Sequence, residues 1–228
     1  MKREIILTSD GSKTIFLPEW NEHYHSKHGA IQEAYHVFIK HGLYHFCHSE
    51  RSEESHKSIS ILEIGFGTGL NAFITLIEAE KLDIDIDYLG VEAFPVEIDK
   101  ALQLNYPSQL SVENKSDVFK KMHEVSWETS HHISNNFKLT KLQQDFLIVQ
   151  AVQEYDLIYF DAFGPRVQPE LWTGTMFEKM FNALKQNGVL VTYSAKGSVR
   201  RAMHKVGFKV EKCPGPPGKR EMLKAIKC

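Results

Sequence analysis

The feature that most restricts the fold is a strand that runs straight into glycines and then into a helix. Residues 58–64, SISILEI, read as a continuous apolar strand. Gly65, Gly67 and Gly69 follow at once, and 70–82, LNAFITLIEAEKL, has helical character. A strand joined to a helix by so short a turn belongs to a parallel sheet, in which the helix carries the chain back for the next strand. The downstream chain repeats this alternation. Strands are expected at 86–92, 136–145, 155–161 and 188–194, and helices at 95–105, 115–126, 169–185 and 196–206. GFKVEKC and REMLKAI, joined by PGPPGK, then form a terminal hairpin. The expected fold is α/β, a mixed sheet of about seven strands with helices on both faces.

The first 58 residues follow another pattern. Apolar runs at 4–8 and 13–17 flank the turn signal SDGS, so a small hairpin is expected. HGAIQEAYHVFIKHGLYHF then places Ile31, Ala34, Tyr35, Phe38, Ile39 and Leu43 on one helical face. CHSERSEESHKS, 47–58, is polar and aperiodic and reads as a connector. The expected organisation is a hairpin, helix and connector over 1–58, followed by one α/β domain over 59–228.

Composition narrows the class. With 42% hydrophobic and 25% charged residues in 228, the chain is that of a soluble globular protein. No apolar run reaches membrane-spanning length and MKREIILTSDGSK lacks a signal-peptide core, so a cytoplasmic setting is expected. Cys47, Cys213 and Cys228 are too few and too scattered for a disulfide framework or a cysteine zinc site. Seven of the 12 histidines lie between His23 and His48, but no carboxylate-rich set accompanies them, and no metal is expected. Charge is uneven. From Lys196 onward ten Lys/Arg face two acids, giving about +8 there and about −10 on the rest. That stripe is either a solvated surface or a footprint for a polyanion.

The glycine loop lies where an open α/β sheet binds its ligand, beyond the carboxyl ends of the strands. Its spacing is G-x-G-x-G; the dinucleotide fingerprint needs glycine at 70, where this chain has Leu70. Glu63 precedes the loop and Glu92 ends the next strand. An acid before the loop repels a pyrophosphate but suits a cationic ligand, and an acid after the second strand can accept both hydroxyls of a ribose. Together these features point to a nucleoside with a positive charge and no phosphates, which S-adenosyl-L-methionine satisfies. Asp145 is placed either to accept the adenine amino group, with Phe146 and Leu147 packing on the ring, or to stand as a solvated loop acid.

Asp161 ends the strand expected beside the first, so its carboxylate should enter the same crevice. Phe163, Gly164 and Pro165 follow it as a stiff wall suited to a flat substrate. Methyl transfer to nitrogen requires the amine to be held in line with its lone pair free. Asp161 is expected to orient that amine rather than to act as a strong base, because a carboxylate is far less basic than an alkylamine. The competing reading is a turn-forming aspartate.

DGSKTIFLPEWNEHYHSKHGAIQEAYHVFI, ILEIGFGTGLN, FDAFGPRVQPELWT and SAKGSVRRAMHKVGFKVEKCPGPPGKREML, which cover most of the chain except 47–58 and 107–135, carry a resemblance. The chain resembles the methyltransferase part of the bifunctional bacterial enzymes that complete 5-methylaminomethyl-2-thiouridine at the tRNA wobble position. The resemblance implies a Rossmann-like class I methyltransferase fold, S-adenosyl-L-methionine as donor and an aminomethyl-uridine of tRNA as acceptor. Asp161 stays the expected catalytic residue. For the cofactor the expected residues are Glu63, Gly65, Gly67, Gly69, Asn71, Glu92 and Asp145, to which the resemblance adds Tyr24. It adds Phe163 and Pro165, with Arg200, Arg201, Lys219 and Arg220 toward the RNA. The family's larger members carry a flavin-dependent oxidase domain, and none is expected in this chain. The alternatives are a small-molecule amine methyl- or aminopropyl-transferase on the same fold and a nicotinamide-dependent oxidoreductase; Leu70 and Glu63 weigh against the latter.

Overall fold

The computed structural model describes residues 1–47 and 57–228. The chain opens with β1 (Glu4–Leu7), β2 (Lys13–Leu17) and β3 (Glu22–His23), a three-stranded antiparallel sheet. One continuous helical stretch follows as α1 (Ala30–Ala34), a π-helical segment (Tyr35–Leu43) and α2 (Tyr44–Cys47). The wider π turn brings Val37 and Gly42 into the core beside the expected Phe38, Ile39 and Leu43. A Cβ at Gly42 would lie 3.2 Å from the Tyr159 ring, so the helix rests directly on the main sheet. Of the connector expected at 47–58, residues 48–56 lie outside the described residues.

The main sheet begins with β4 (Ser58–Ile64), α3 (Leu70–Leu82) and β5 (Asp85–Glu92). The helix expected at 95–105 is shortened to α4 (Ile98–Ala101), and a second short helix, α5 (Tyr106–Gln109), follows just beyond it. Pro107 sits within the first turn of the second, where its missing N–H costs nothing. Then come α6 (Ser116–Glu124), β6 (Ser130–Ser134), β7 (Phe137–Gln143), β8 (Tyr155–Phe160), α7 (Gly174–Ala183), β9 (Leu184–Thr192), α8 (Gly197–Lys205), β10 (Lys209–Pro214) and β11 (Glu221–Ile226). The sheet has eight strands rather than seven, in the order β10-β11-β9-β8-β4-β5-β7-β6. The extra one, β6, is an edge strand antiparallel to β7, and its sequence SHHIS shows little apolar patterning.

Alternate residues of the central strands enter two cores. Ile59, Ile61, Leu157, Tyr159, Val189 and Val191 face the N-terminal helix, α3 and α6. Leu62, Ile64, Ile158, Phe160 and Leu190 face α7 and α8. Ile15, Leu17 and Val37 belong to the first of these cores, so the N-terminal segment packs as part of the same body. The chain lays down β4, β5 and β7 outward in one direction and then returns to place β8 and β9 on the other side of β4. The reversal between β4 and β8 opens a crevice at their carboxyl ends.

Gly90 in β5 fits this crevice to its loop. A Cβ there would lie 2.4 Å from Cδ2 of Phe66, which is buried behind the glycine turn. Gly90→Ala should lower unfolding stability by about 1–3 kcal/mol. The check is the urea midpoint at an unchanged denaturant slope, and an unshifted midpoint would show that the loop yields without cost.

Candidate active site

The turn after β4 is fixed by hydrogen bonds to its two neighbours. The Gly65 and Phe66 amides donate to Val91 O at 3.0 and 2.9 Å, and the Asp161 amide donates to Ile64 O at 2.9 Å. Gly65 has φ +97°, and a Cβ there would lie 2.8 Å from Asp161 O. Gly67, at φ +51°, would place a Cβ 3.0 Å from the Tyr24 ring. Both positions combine left-handed backbone with close approach, which glycine alone tolerates at low cost. Thr68 of the same turn meets His25 Nε2 at 2.8 Å and accepts the Tyr106 hydroxyl at 3.1 Å. Burial lowers the His25 pKa to about 4, so this ring is neutral and ties the N-terminal sheet to the loop.

A cavity of about 450 Å³ opens over this turn. Of the residues singled out from sequence, Tyr24, Gly65, Gly67, Glu92, Asp161 and Phe163 line it. Glu92 is 8% exposed, and its Oε2 accepts the Gly67 amide at 2.9 Å while Oε1 accepts Phe94 at 3.0 Å. Burial still raises its pKa. Arg3, Phe94, Glu97, Gln143 and Phe146 complete much of the wall. Arg3 is the one Lys or Arg side chain among the described lining residues, and it is spent on Phe94 O, Pro95 O and Glu97. Three carboxylates, Glu92, Glu97 and Asp161, belong to the lining, Glu97 at the exposed rim in an ion pair with Arg3. The donor set fits a cationic nucleoside.

Glu63 and Asn71 lie behind this wall. The Asn71 amide donates to Glu63 Oε1 at 2.9 Å and to Asp161 Oδ2 at 2.8 Å, so one side chain bridges the buried Glu63 and the half-buried Asp161. Glu63 is fully buried and its Oε2 has no hydrogen-bond partner. Burial raises its pKa well above the usual carboxylate range, and the Asp161 charge adds to this against Asn71. Burial, and then the Glu33 carboxylate, likewise raise Asp161, while Asn71 and Lys219 oppose them. Gly69 caps α3 at φ +70°. Asp145 is exposed and accepts the Leu147 amide at 2.8 Å, capping a short turn whose Phe146, not Leu147, reaches the cavity.

The chain after Asp161 is clasped at both ends. The Phe163 amide donates to Gln168 Oε1 at 3.0 Å, and Phe163 O accepts the Trp172 indole at 2.8 Å. The Phe163 ring meets Trp20 and Tyr24 edge-on, and Arg166 donates to Trp20 O, Asn21 O and Glu22. A second cavity of about 400 Å³ lies on the other side of Asp161, and Tyr24, His25, Ala162 and Phe163 belong to both. Glu33, Tyr193 and Lys219 line it too; Glu33 and Tyr193 carried no motif that would single them out. Beyond it, an open hollow of about 560 Å³ runs between Pro165, Arg166, Lys196, Lys219 and Arg220. Arg200 and Arg201 are exposed on α8. No helix among the described residues is long and apolar enough to cross a membrane.

Residues 109–228 match a family described as S-adenosyl-L-methionine-dependent methyltransferase. The tRNA 5-methylaminomethyl-2-thiouridine biosynthesis bifunctional protein MnmC of Ralstonia nicotianae is 30% identical over 99% of this chain and 35% of its own length. The protein of that name from Leptospira interrogans is 30% identical over 96% and 34%. The chain thus spans about a third of the length of these relatives. The crystal structure of MnmC2 from Aquifex aeolicus superposes with a TM-score of 0.76 at 26% identity, covering 98% of this chain and 69% of that one. Spermidine synthase from Thermotoga maritima shares the fold, with a TM-score of 0.52 at 12% identity over 100% and 72%.

The Glu63 environment has a consequence for stability. Its carboxyl, ordinarily near 4.5, holds its proton to higher pH when folded. The folded state therefore binds more protons than the unfolded state above pH 4.5, and stability falls as pH rises through that window. Glu63→Gln should gain stability over the parent progressively from pH 5 to pH 8, measured by urea unfolding without cofactor. A constant difference would contradict the assignment.

Proposed function

The chain belongs to the S-adenosyl-L-methionine-dependent methyltransferase family, and from that premise we propose that it methylates the 5-aminomethyl nitrogen of a wobble uridine, 2-thio or 2-oxo, in tRNA. The observation that carries this reading is the pair of cavities meeting at Asp161, one fitted to the donor and one to an amine. The biosynthesis of tRNA 5-methylaminomethyl-2-thiouridine, for which the relatives are named, supports tRNA as the acceptor. The bound cofactor supplies a methyl group on a sulfonium, a carbon already primed for displacement by an amine lone pair.

On this reading, Glu92, held by the Gly67 and Phe94 amides, accepts the ribose hydroxyls. Gly65 and Gly67 let the ligand approach the backbone, and Tyr24 and Phe163 wall the reacting centre. Glu63 acts from behind the turn, through Asn71, rather than by contact. Asn71 fixes the Asp161 carboxyl while leaving one oxygen for the acceptor. An alkylammonium must lose a proton before its nitrogen can attack. The raised proton affinity of Asp161 narrows the gap that made it a weak base in the sequence reading, so it both orients the amine and receives that proton. The hollow rimmed by Arg166, Lys196 and Arg220 extends from the amine cavity, and with Arg200 and Arg201 it offers charge to the phosphate backbone.

A free small amine would also suit an acid-lined cavity, so the acceptor decides between the two readings. Labelled methyl from the cofactor should enter tRNA isolated from cells lacking this protein and leave free polyamines unlabelled. Asp161→Ala should lower turnover by about 10²-fold or more with cofactor affinity little changed. Label in free amines alone would reverse the acceptor assignment, and undiminished turnover in the variant would remove Asp161 from the chemistry.

A further inference from the structure

Lys219 belongs to the basic stripe that the sequence offers to RNA, yet its ammonium points inward. Its Nζ lies 2.5 Å from Glu33 Oε1 and 3.9 Å from the centroid of the Tyr193 ring. Glu33, in α1, is 6% exposed, and its other oxygen accepts the Ser26 amide at 2.7 Å. The Tyr193 hydroxyl donates to Ala162 O at 2.9 Å, one residue from Asp161. The lysine is also held from its own side. The turn carrying it is closed by the Gly215 amide on Arg220 O and the Lys219 amide on Pro216 O, and it packs at Gly218 against the His28 ring. A cation on a rigid turn, seated on a buried carboxylate in a cavity shared with Asp161, is a built arrangement rather than a solvated side chain.

We propose that Glu33 and Lys219 are positioning residues for the transfer: a fixed charge pair on the acceptor side of Asp161 that governs when its carboxylate is free to take the acceptor's proton. This rests on Asp161 being the group that meets the acceptor nitrogen. The two charges act on Asp161 with opposite sign, Glu33 favouring the protonated form and Lys219 the ionised one. The remaining titratable neighbours are Glu63 from β4, Tyr88 from β5 and Tyr193 beyond β9. From the N-terminal segment, Tyr24 and the neutral His25 line both cavities, and Glu22, His23, Lys27 and His28 line the second. Of all these, Lys219 is the cation that acts on Asp161, and Glu33 is the acid that opposes it, so the pair is where the balance can be set. Neither member lines the donor cavity.

The proton on Asp161 can be followed directly in protein labelled with 13C-carboxyl aspartate, its resonance assigned by loss in Asp161→Asn. Lys219→Met should raise the titration midpoint and Glu33→Gln should lower it, each by about one pH unit. Lys219→Arg, which keeps the charge, and the double variant Glu33→Gln/Lys219→Met should stay near the parent. The acid limb of kcat/KM toward undermodified tRNA should move with the midpoint, while cofactor affinity, measured alongside as a check of folding, stays within about twofold. Should Glu33→Gln fail to fold, Lys219→Met and Lys219→Arg carry the test, since Lys219 is partly exposed. Coincident midpoints in folded parent and Lys219→Met would overturn the proposal. Absence of transfer to tRNA by the parent would instead reject the acceptor assignment, and the acceptor-free titration would still decide the role of the pair.

Discussion

The structure turns on the contact between Gly65 and the carbonyl of Asp161, where two strand ends lie so close that no side chain fits between them. β4 and β8 are neighbours because the chain reverses direction there, and the reversal leaves their tips without covering strands. The Asp161 amide on Ile64 O and the Gly65 amide on Val91 O lock three strand ends into one rigid edge. Glycine turn, Glu92 and Asp161 are therefore positioned by sheet hydrogen bonds rather than by mobile loops.

That edge is electrostatically one-sided. Glu63, Glu92 and Asp161 are all drawn from water with raised pKa values, and backbone amides and Asn71 relieve them only in part. Burying carboxylates without full compensation opposes folding and is expected where a cationic ligand supplies the missing charge. The Lys219 ammonium beside Asp161 is already paired with Glu33. On the proposed reading, a positively charged donor and an ammonium acceptor meet the same carboxylates, which ties recognition and proton removal to the same few side chains.

Much of this could be read from residue order. The strand 58–64 and the helix 70–82 appear at the boundaries the sequence suggests, because an apolar run, three glycines and a helical repeat leave few alternatives. Asp161 at the end of β8 and Glu92 at the end of β5 followed from strand ends alone. What escaped depends on contacts between distant segments. Glu33 looks like any polar residue of an amphipathic helix, and only the fold sets it against Lys219, 186 positions away. Lys219 read as surface charge because sequence does not say which way a long side chain turns. Asp145 offered two readings, and its carboxyl caps the turn at Leu147. The helix expected at 95–105 shortens to Ile98–Ala101, and β6 carries too little apolar alternation to announce itself.

The most direct test asks whether the buried acids give up protons to a cation. S-adenosyl-L-methionine titrated calorimetrically into the cofactor-free protein, in two buffers of different ionisation enthalpy near pH 7, reports the protons exchanged on binding. Net release is expected, smaller with the demethylated thioether product, which lacks the sulfonium charge, and smaller again in Asp161→Asn. Binding with no proton release, or equal release for donor and product, would contradict a site built on carboxylates awaiting positive charge.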